Sequence, residues 1–290
     1  MRTANLIESG YIAKPLRKDD IYPQIQRRSI KDITGMEGRR GLDKVIISGG
    51  RIVNVVSERY ALLDNSFFFG KVEEKLRETG FSYKTRYINR ENGSFAADYI
   101  LDDDDVRVNI KGADFDVIRP MLRFTNSYDG SAKTSGSFGF FREVCQNGLH
   151  VAHAKINFNI KHVGDMQSLT VPHIGNLIAK FMDNEFYALT RKMERMNTEY
   201  ISDRKTFVKE IADFSKLFKY ESSAQNPEPS LNARLVLETL EREAAGNGGA
   251  VTLWHGYNAF NELLHGKLKK TFEQQQRSDT LLFNHIAELV

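Results

Sequence analysis

The chain has 290 residues, of which 41% are hydrophobic and 27% charged, with a formal net charge of +3; that is enough apolar side chain for a full core, and disulfide staples are unnecessary. A single cysteine, Cys145, forms no internal bridge, and no apolar leader with a cleavage site follows Met1. No run approaches the roughly 18 apolar residues of a membrane span, so the expectation is a cytoplasmic protein without membrane contact, whose mild basicity permits an anionic partner without demanding one.

Residues 1–55 read as an irregular arm: Pro15 and Pro23, the pairs Arg27-Arg28 and Arg39-Arg40, and Gly35, Gly38, Gly41, Gly49 and Gly50 break any period. Two short strands are predicted there, at 45–48 and 51–56, joined by Gly49-Gly50. A helix follows, with Ser66 as N-cap, Phe67, Val72 and Leu76 at amphipathic spacing, and Gly80 as the stop. Period-two alternation then begins at Tyr83, Thr85 and Tyr87, turns at Asn92-Gly93, and returns through Phe95, Ala97 and Tyr99 as a β-hairpin.

Three further alternating segments point to function. Residues 106–111 set Val106, Val108 and Ile110 against Arg107, Asn109 and Lys111; residues 119–127 set Leu122 and Phe124 against Arg119, Arg123, Thr125 and Ser127. In 155–162, Ile156, Phe158 and Ile160 oppose Lys155, Asn157, Asn159 and Lys161. Side chains alternate across a strand, so each polar set faces away from the core, and none of the three contains an acid. If the strands share a sheet, Arg107, Lys111, Arg119, Arg123, Lys155 and Lys161 make a cationic face, helped by Lys84 and Arg86; the alternative is an ordinary wet sheet face.

The segment between the last two strands is dense in turn residues, from Ser127-Tyr128-Asp129-Gly130-Ser131 to Gly139. It reads as a hairpin with an Asp-Gly turn rather than a phosphate loop, because Ala132 precedes Lys133-Thr134 where a P-loop requires glycine. Lys133 and Arg142 would stand at its edge, and Tyr128 and Phe138 would stack on exposed bases at about 1–3 kcal/mol each. Cys145, His150 and His153 lack the fourth ligand and the spacing of a closed zinc site. The acids 102–105 read as a solvated loop, since four consecutive side chains do not converge on one point. No cofactor or metal is implied.

From Val171 the chain reads as helical. Pro172 suits the start of a long helix reaching towards Tyr200, Asp203 caps a second with Phe207, Ile211, Phe214 and Leu217 inside, and three more cover 231–245, 251–264 and 268–289. The stripe Trp254, Tyr257, Asn258 and Asn261 reads as core with satisfied amides.

Ser127-Tyr128-Asp129-Gly130-Ser131, then Phe141-Arg142-Glu143-Val144-Cys145-Gln146-Asn147-Gly148-Leu149, and far downstream Thr252-Leu253-Trp254 and Tyr257-Asn258-Ala259, together resemble the phage- and plasmid-related family known as domain of unknown function 932, over about residues 55–285. The resemblance implies carriage on mobile elements and brings no catalytic residue or cofactor with it.

The expectation is therefore an α+β protein with an irregular arm (1–55), an antiparallel sheet domain with one early helix (56–165) and a C-terminal helical bundle packed on the apolar sheet face or on itself (166–290). Its expected role is nucleic-acid binding, on single strands, in phage or plasmid replication, recombination or annealing, with homo-oligomerisation lengthening the groove. The alternatives are a metal-dependent enzyme acting on nucleic acid and a phage protein that captures a host factor.

Overall fold

The computed structural model describes residues 22–90, 93–110, 117–142, 147–149, 157–181, 185–223 and 226–290. The arm is more regular than its composition predicts. Strands β1 (Ile25–Ser29), β2 (Lys44–Ser48) and β3 (Arg51–Val56) form an antiparallel sheet, with the short helix α1 (Ile30–Thr34) between the first two. Gly49 and Gly50, with φ of 54° and 80°, make the tight β2–β3 turn that the glycine pair predicts.

Helix α2 (Asn65–Glu78) starts two residues earlier than expected: Asp64, not Ser66, is the N-cap, its carboxylate accepting from the Ser66 and Phe67 amides. The predicted hairpin is β4 (Tyr83–Arg90) and β5 (Ser94–Leu101). A single 3-10 turn, Asp104–Val106, then leads to β6 (Val108–Asn109), so residues 106–111 hold a two-residue strand rather than a full one, and Lys111 lies outside the described residues.

Strands β7 (Val117–Ser127) and β8 (Thr134–Arg142) form the longest pair, joined by the Asp-Gly turn; the serine- and glycine-rich stretch 134–139 is strand and not loop. β9 (Asn147–Leu149) pairs with β8, and β10 (Phe158–Ile160) follows. The main sheet runs β10-β8-β7-β5-β4 and is antiparallel throughout, with β6 added to β7.

Residues in register share a face, and that separates the sheet chemically. Ala97, Phe124, Gly136 and Phe158 lie in one row and Tyr99, Leu122 and Phe138 in the next, all on the face covered by α2 and by α3 (Met166–Phe181). Phe68 of α2 meets the Phe124 ring edge-on at 6.1 Å. Gly136 is required here: a Cβ would stand 2.3 Å from the Phe158 ring and 2.8 Å from Leu177 of α3.

The remaining helices are α4 (Glu185–Met196), α5 (Arg204–Ser215), α6 (Leu231–Gly246), α7 (Leu253–Gly266) and α8 (Phe272–Ala287), and a two-stranded ribbon of β11 (Glu221–Ser223) and β12 (Asn226–Pro229) precedes α6. Trp254, Tyr257, Phe260 and Leu264 of α7 form the bundle's interior with Phe283 and Ile286 of α8. Two expectations need correction. Pro172 sits inside α3, whose first turn is instead capped by Asp165 through the Gln167 and Ser168 amides. Phe214 is exposed and stacks on His285 with ring centroids 3.5 Å apart. The architecture is α+β, antiparallel sheets followed by a helical C-terminal region.

Replacing Gly136 by Ala should cost about 1–3 kcal/mol through overpacking of Phe158 and Leu177, read as a lower urea midpoint at unchanged m-value.

Candidate nucleic-acid interface

The polar face expected from alternation exists, and an acid at its centre changes its meaning. On β5, Phe95, Ala97 and Tyr99 point into the core, so Asp98 points the other way, in register with Arg86 of β4 and Arg123 of β7. Its carboxylate accepts from both guanidiniums, at 2.6 Å from Arg86 Nη2 and 2.7 Å from Arg123 Nη2. Both Asp98 and Arg123 are buried. At the far end of β5, Asp102 takes Lys84 at 2.8 Å and Arg119 at 3.5 Å. The face is therefore not acid-free.

The helices, expected to pack on the apolar sheet face or on one another, also reach this face. The Arg123 guanidinium lies 5.8 Å from the ring of Phe272, the first residue of α8, and Lys133 is paired with Glu273 at 3.1 Å. The other expected contacts fare unevenly. Arg107 and Lys161 are exposed. Tyr128 and Phe138, expected to stack on bases, are fully buried in the core, and Arg142, expected at a loop edge, is 1% exposed. Lys111 and Lys155 lie outside the described residues, as do Cys145, His150 and His153. Among the described residues no group of three or more His, Cys, Asp or Glu is placed to hold a metal ion. Asp103 accepts from the Ser82 amide and hydroxyl rather than facing its acidic neighbours.

What remains open is a groove of about 280 Å³ at the β7–β8 turn, lined by Tyr60, Gly130, Ser131, Lys133, Lys161, His162 and Glu273. Next to it, Thr125, Ser135, Ser137 and Asn159 stand on the same sheet face as Arg123. Two cations, hydroxyls and one acid meet there.

The turn itself is locked rather than poised for phosphate. Asp129 accepts from the Ser131 amide and the Ser127 hydroxyl oxygen accepts from the Ala132 amide, which occupies the donors a phosphate would need. Tyr60 donates to the Ser127 carbonyl, Asn54 to the Tyr128 carbonyl, and the Tyr128 hydroxyl accepts from the Asn65 amide. Below the turn, Asn126 donates to Leu63 O and Asn65 Oδ1 while Thr134 donates to Asn126 Oδ1. His162 completes the lock, with Nδ1 3.2 Å from the Ala61 carbonyl and its ring stacked on Tyr60 at 5.0 Å. Burial pushes the His162 pKa below its ordinary value, with the Ala61 carbonyl opposing.

The other motif residues form a second buried cluster. Arg142 makes a two-pronged contact with Glu243 of α6, at 2.8 and 3.1 Å, with its guanidinium 6.0 Å from the Trp254 ring. Thr252 and His255 form a capping box, so His255 Nδ1 accepts from the Thr252 amide and the ring proton sits on Nε2, facing Glu243 at 3.9 Å. Further along α7, Tyr257, Asn261 and His265 donate to Asp279 of α8. Motifs a hundred residues apart thus meet through Arg142, Glu243 and Trp254.

The fold and this site define an α+β protein whose signature residues are buried polar locks beside a small basic groove. The family described as Domain of unknown function (DUF932) matches residues 52–282, and the chain belongs to that family. No curated protein and no solved structure matches it. Among the described residues no helix is long and apolar enough to cross a membrane.

Replacing Asp98 by Ala strands the buried Arg123 guanidinium, and urea unfolding should show a loss of about 3–5 kcal/mol, most of it recovered when Arg123 is also replaced by Met. His162 supplies a pH prediction. Its folded pKa is lowered, so the unfolded chain binds the extra proton and stability falls as pH drops through about 6.5. Thermal melts between about pH 7.5 and 5.5 should therefore fall more steeply for the wild type than for His162→Gln, which has no titrating ring.

Proposed function

We propose that the protein binds nucleic acid, as single strands, in the replication, recombination or annealing apparatus of a phage or plasmid. The observation that supports this reading best is the convergence of Lys133 and Lys161 on one open groove with Ser131 and Tyr60 at its wall. Two ammonium groups beside hydroxyls suit a phosphate backbone, and Tyr60, stacked on His162, gives a half-buried ring at the edge. Glu273 holds Lys133 when the groove is empty of phosphate, so a bound strand competes with it. The neutralised centre of the sheet face is structural in this reading, and binding belongs to the β7–β8 end. Mobile-element carriage comes from the motif resemblance and binding from the groove; neither supplies a reaction, and the reading is of a binding protein without a cofactor.

Titration of labelled single- and double-stranded oligonucleotides across a salt series tests this. Affinity should fall steeply with salt, and Lys133→Ala with Lys161→Ala should weaken binding and reduce the log–log salt slope by about 1.4, at about 0.7 per phosphate contact on single strands. Wild-type protein that binds neither oligonucleotide, or a double variant with an unchanged curve, removes the assignment.

A further inference from the structure

The N-terminal sheet has a second face that the fold leaves open along β1 and β3. Ile25, Ile46 and Val56 point inward and pack on the core. Register then sends Gln26 and Arg28 of β1, Val45 and Ile47 of β2 and Ile52 and Val55 of β3 to the other face, on which Val45 is itself buried, while Arg51, paired with Ser48 at the Gly49-Gly50 turn, stands at the sheet's end. Ile52 and Val55 are 59% and 43% exposed, and Ile33 of α1, Met36 and Leu42 join them as exposed large apolar side chains. Solvated apolar side chains concentrated in one short stretch mark a contact surface.

Cations surround this apolar centre. Arg28, Arg39, Arg40 and Arg51 are all exposed, and among the described residues none of them meets a carboxylate. The acids nearby are mostly spent: Glu37 is held by Lys31 and Glu58 by Lys44, which leaves Asp32 and the half-buried Asp43. The arginine tip is built at a cost. Arg40 has φ of 58° beside Gly41 at 74°, closing a tight turn in which the Leu42 amide donates to the Arg39 carbonyl. A left-handed conformation costs a non-glycine residue roughly 1–2 kcal/mol, so glycine would make the turn more cheaply than Arg40 does. The family match begins at residue 52, so β1, α1, this tip and β2 lie outside it.

We infer that this outer face, with the turn end of the sheet that carries Arg51, is a second nucleic-acid contact, in which Arg28, Arg39, Arg40 and Arg51 bind phosphates while Ile52, Val55 and Met36 pack against sugars and bases. The inference rests on the proposed function and extends its footprint. Charge selects the occupant: a second copy would set guanidiniums against guanidiniums, whereas a polyanion neutralises them. Continuity supports it too. Asn54 of β3 bonds the Tyr128 carbonyl and Tyr60 stacks on His162, so the module is anchored at the sheet end that holds Lys133 and Lys161.

The test uses the full-length chain carrying Arg28→Ala, Arg39→Ala, Arg40→Ala and Arg51→Ala together, beside the Lys133/Lys161 double variant, on a labelled single-stranded 30-mer. All four arginines are exposed, and an unchanged melting curve confirms the fold. The inference expects at least a tenfold affinity loss at moderate salt and a slope reduced by up to about 2.8. Wild type that binds no oligonucleotide removes the proposed function and this extension with it. Wild-type binding that the lysine variant weakens but the arginine variant leaves intact overturns the extension alone. Sedimentation with phosphatidylserine vesicles, abolished in the arginine variant while its oligonucleotide affinity is unchanged, assigns the face to a membrane and overturns it. So does a dimer lost on Ile52→Asp with oligonucleotide binding unaffected.

Discussion

Asp98 is the hinge of the molecule's electrostatics. A carboxylate in the middle of a central strand, buried and facing two guanidiniums from the strands on either side, fixes the register of three strands at once. A slip of one residue in β5 would turn Asp98 into the aromatic layer beside Phe124 and bring Ala97 opposite the arginines. Ion pairs of this kind contribute modest net stability, because desolvation offsets most of the attraction, but they penalise alternatives heavily. Arg86 and Arg123 are consequently tied to folding.

The motif residues follow the same logic of burial. Ser127, Tyr128, Asn126 and Thr134 satisfy one another and the chain at 54–65, so the β7–β8 turn is held from below by β3 and the start of α2. Arg142, Glu243 and Trp254 join the sheet to α6 and α7. An arginine 1% exposed persists only with its charge and donors met, and Glu243 meets them bidentately. Widely separated motifs are explained when their side chains complete each other's hydrogen bonds. That is a structural role, and it accounts for Tyr128 and Phe138 serving the core rather than a ligand.

Much of the fold was legible from alternation and turn chemistry. The β4–β5 hairpin, β7, the Gly49-Gly50 turn and the helical C-terminal region stand where period and punctuation put them. The errors are physical. Thr134, Ser135, Gly136 and Ser137 have the composition of a loop but form a strand, because Phe158 and Leu177 supply from outside the bulk that the glycine lacks. Ser66 has cap chemistry, yet Asp64 is placed to bond two amides. The site was less legible. Asp98 shows in the sequence as the out-of-phase residue of Phe95-Ala96-Ala97-Asp98-Tyr99, so its face is deducible, but its two arginine partners depend on strand order. Glu273 lies 140 residues from Lys133, and nothing local in the sequence brings them together.

The division of charge between centre and periphery has a consequence for binding. Arginines locked on Asp98 are already neutralised, so they would not displace the cations condensed on an arriving strand. Cations without a carboxylate can neutralise phosphates and so release the strand's condensed cations, which is the source of a salt-dependent gain. Around the groove and on the arm those include Lys161 and the arm's exposed arginines, with Lys133 available once Glu273 yields. A polynucleotide following them would run along the β7–β8 end and onto the outer face of the N-terminal sheet, past Tyr60, rather than across the middle of the main sheet. Under the proposed reading the arm, lying largely outside the family match, would add its arginines to the attraction from Lys133 and Lys161, which lie within it.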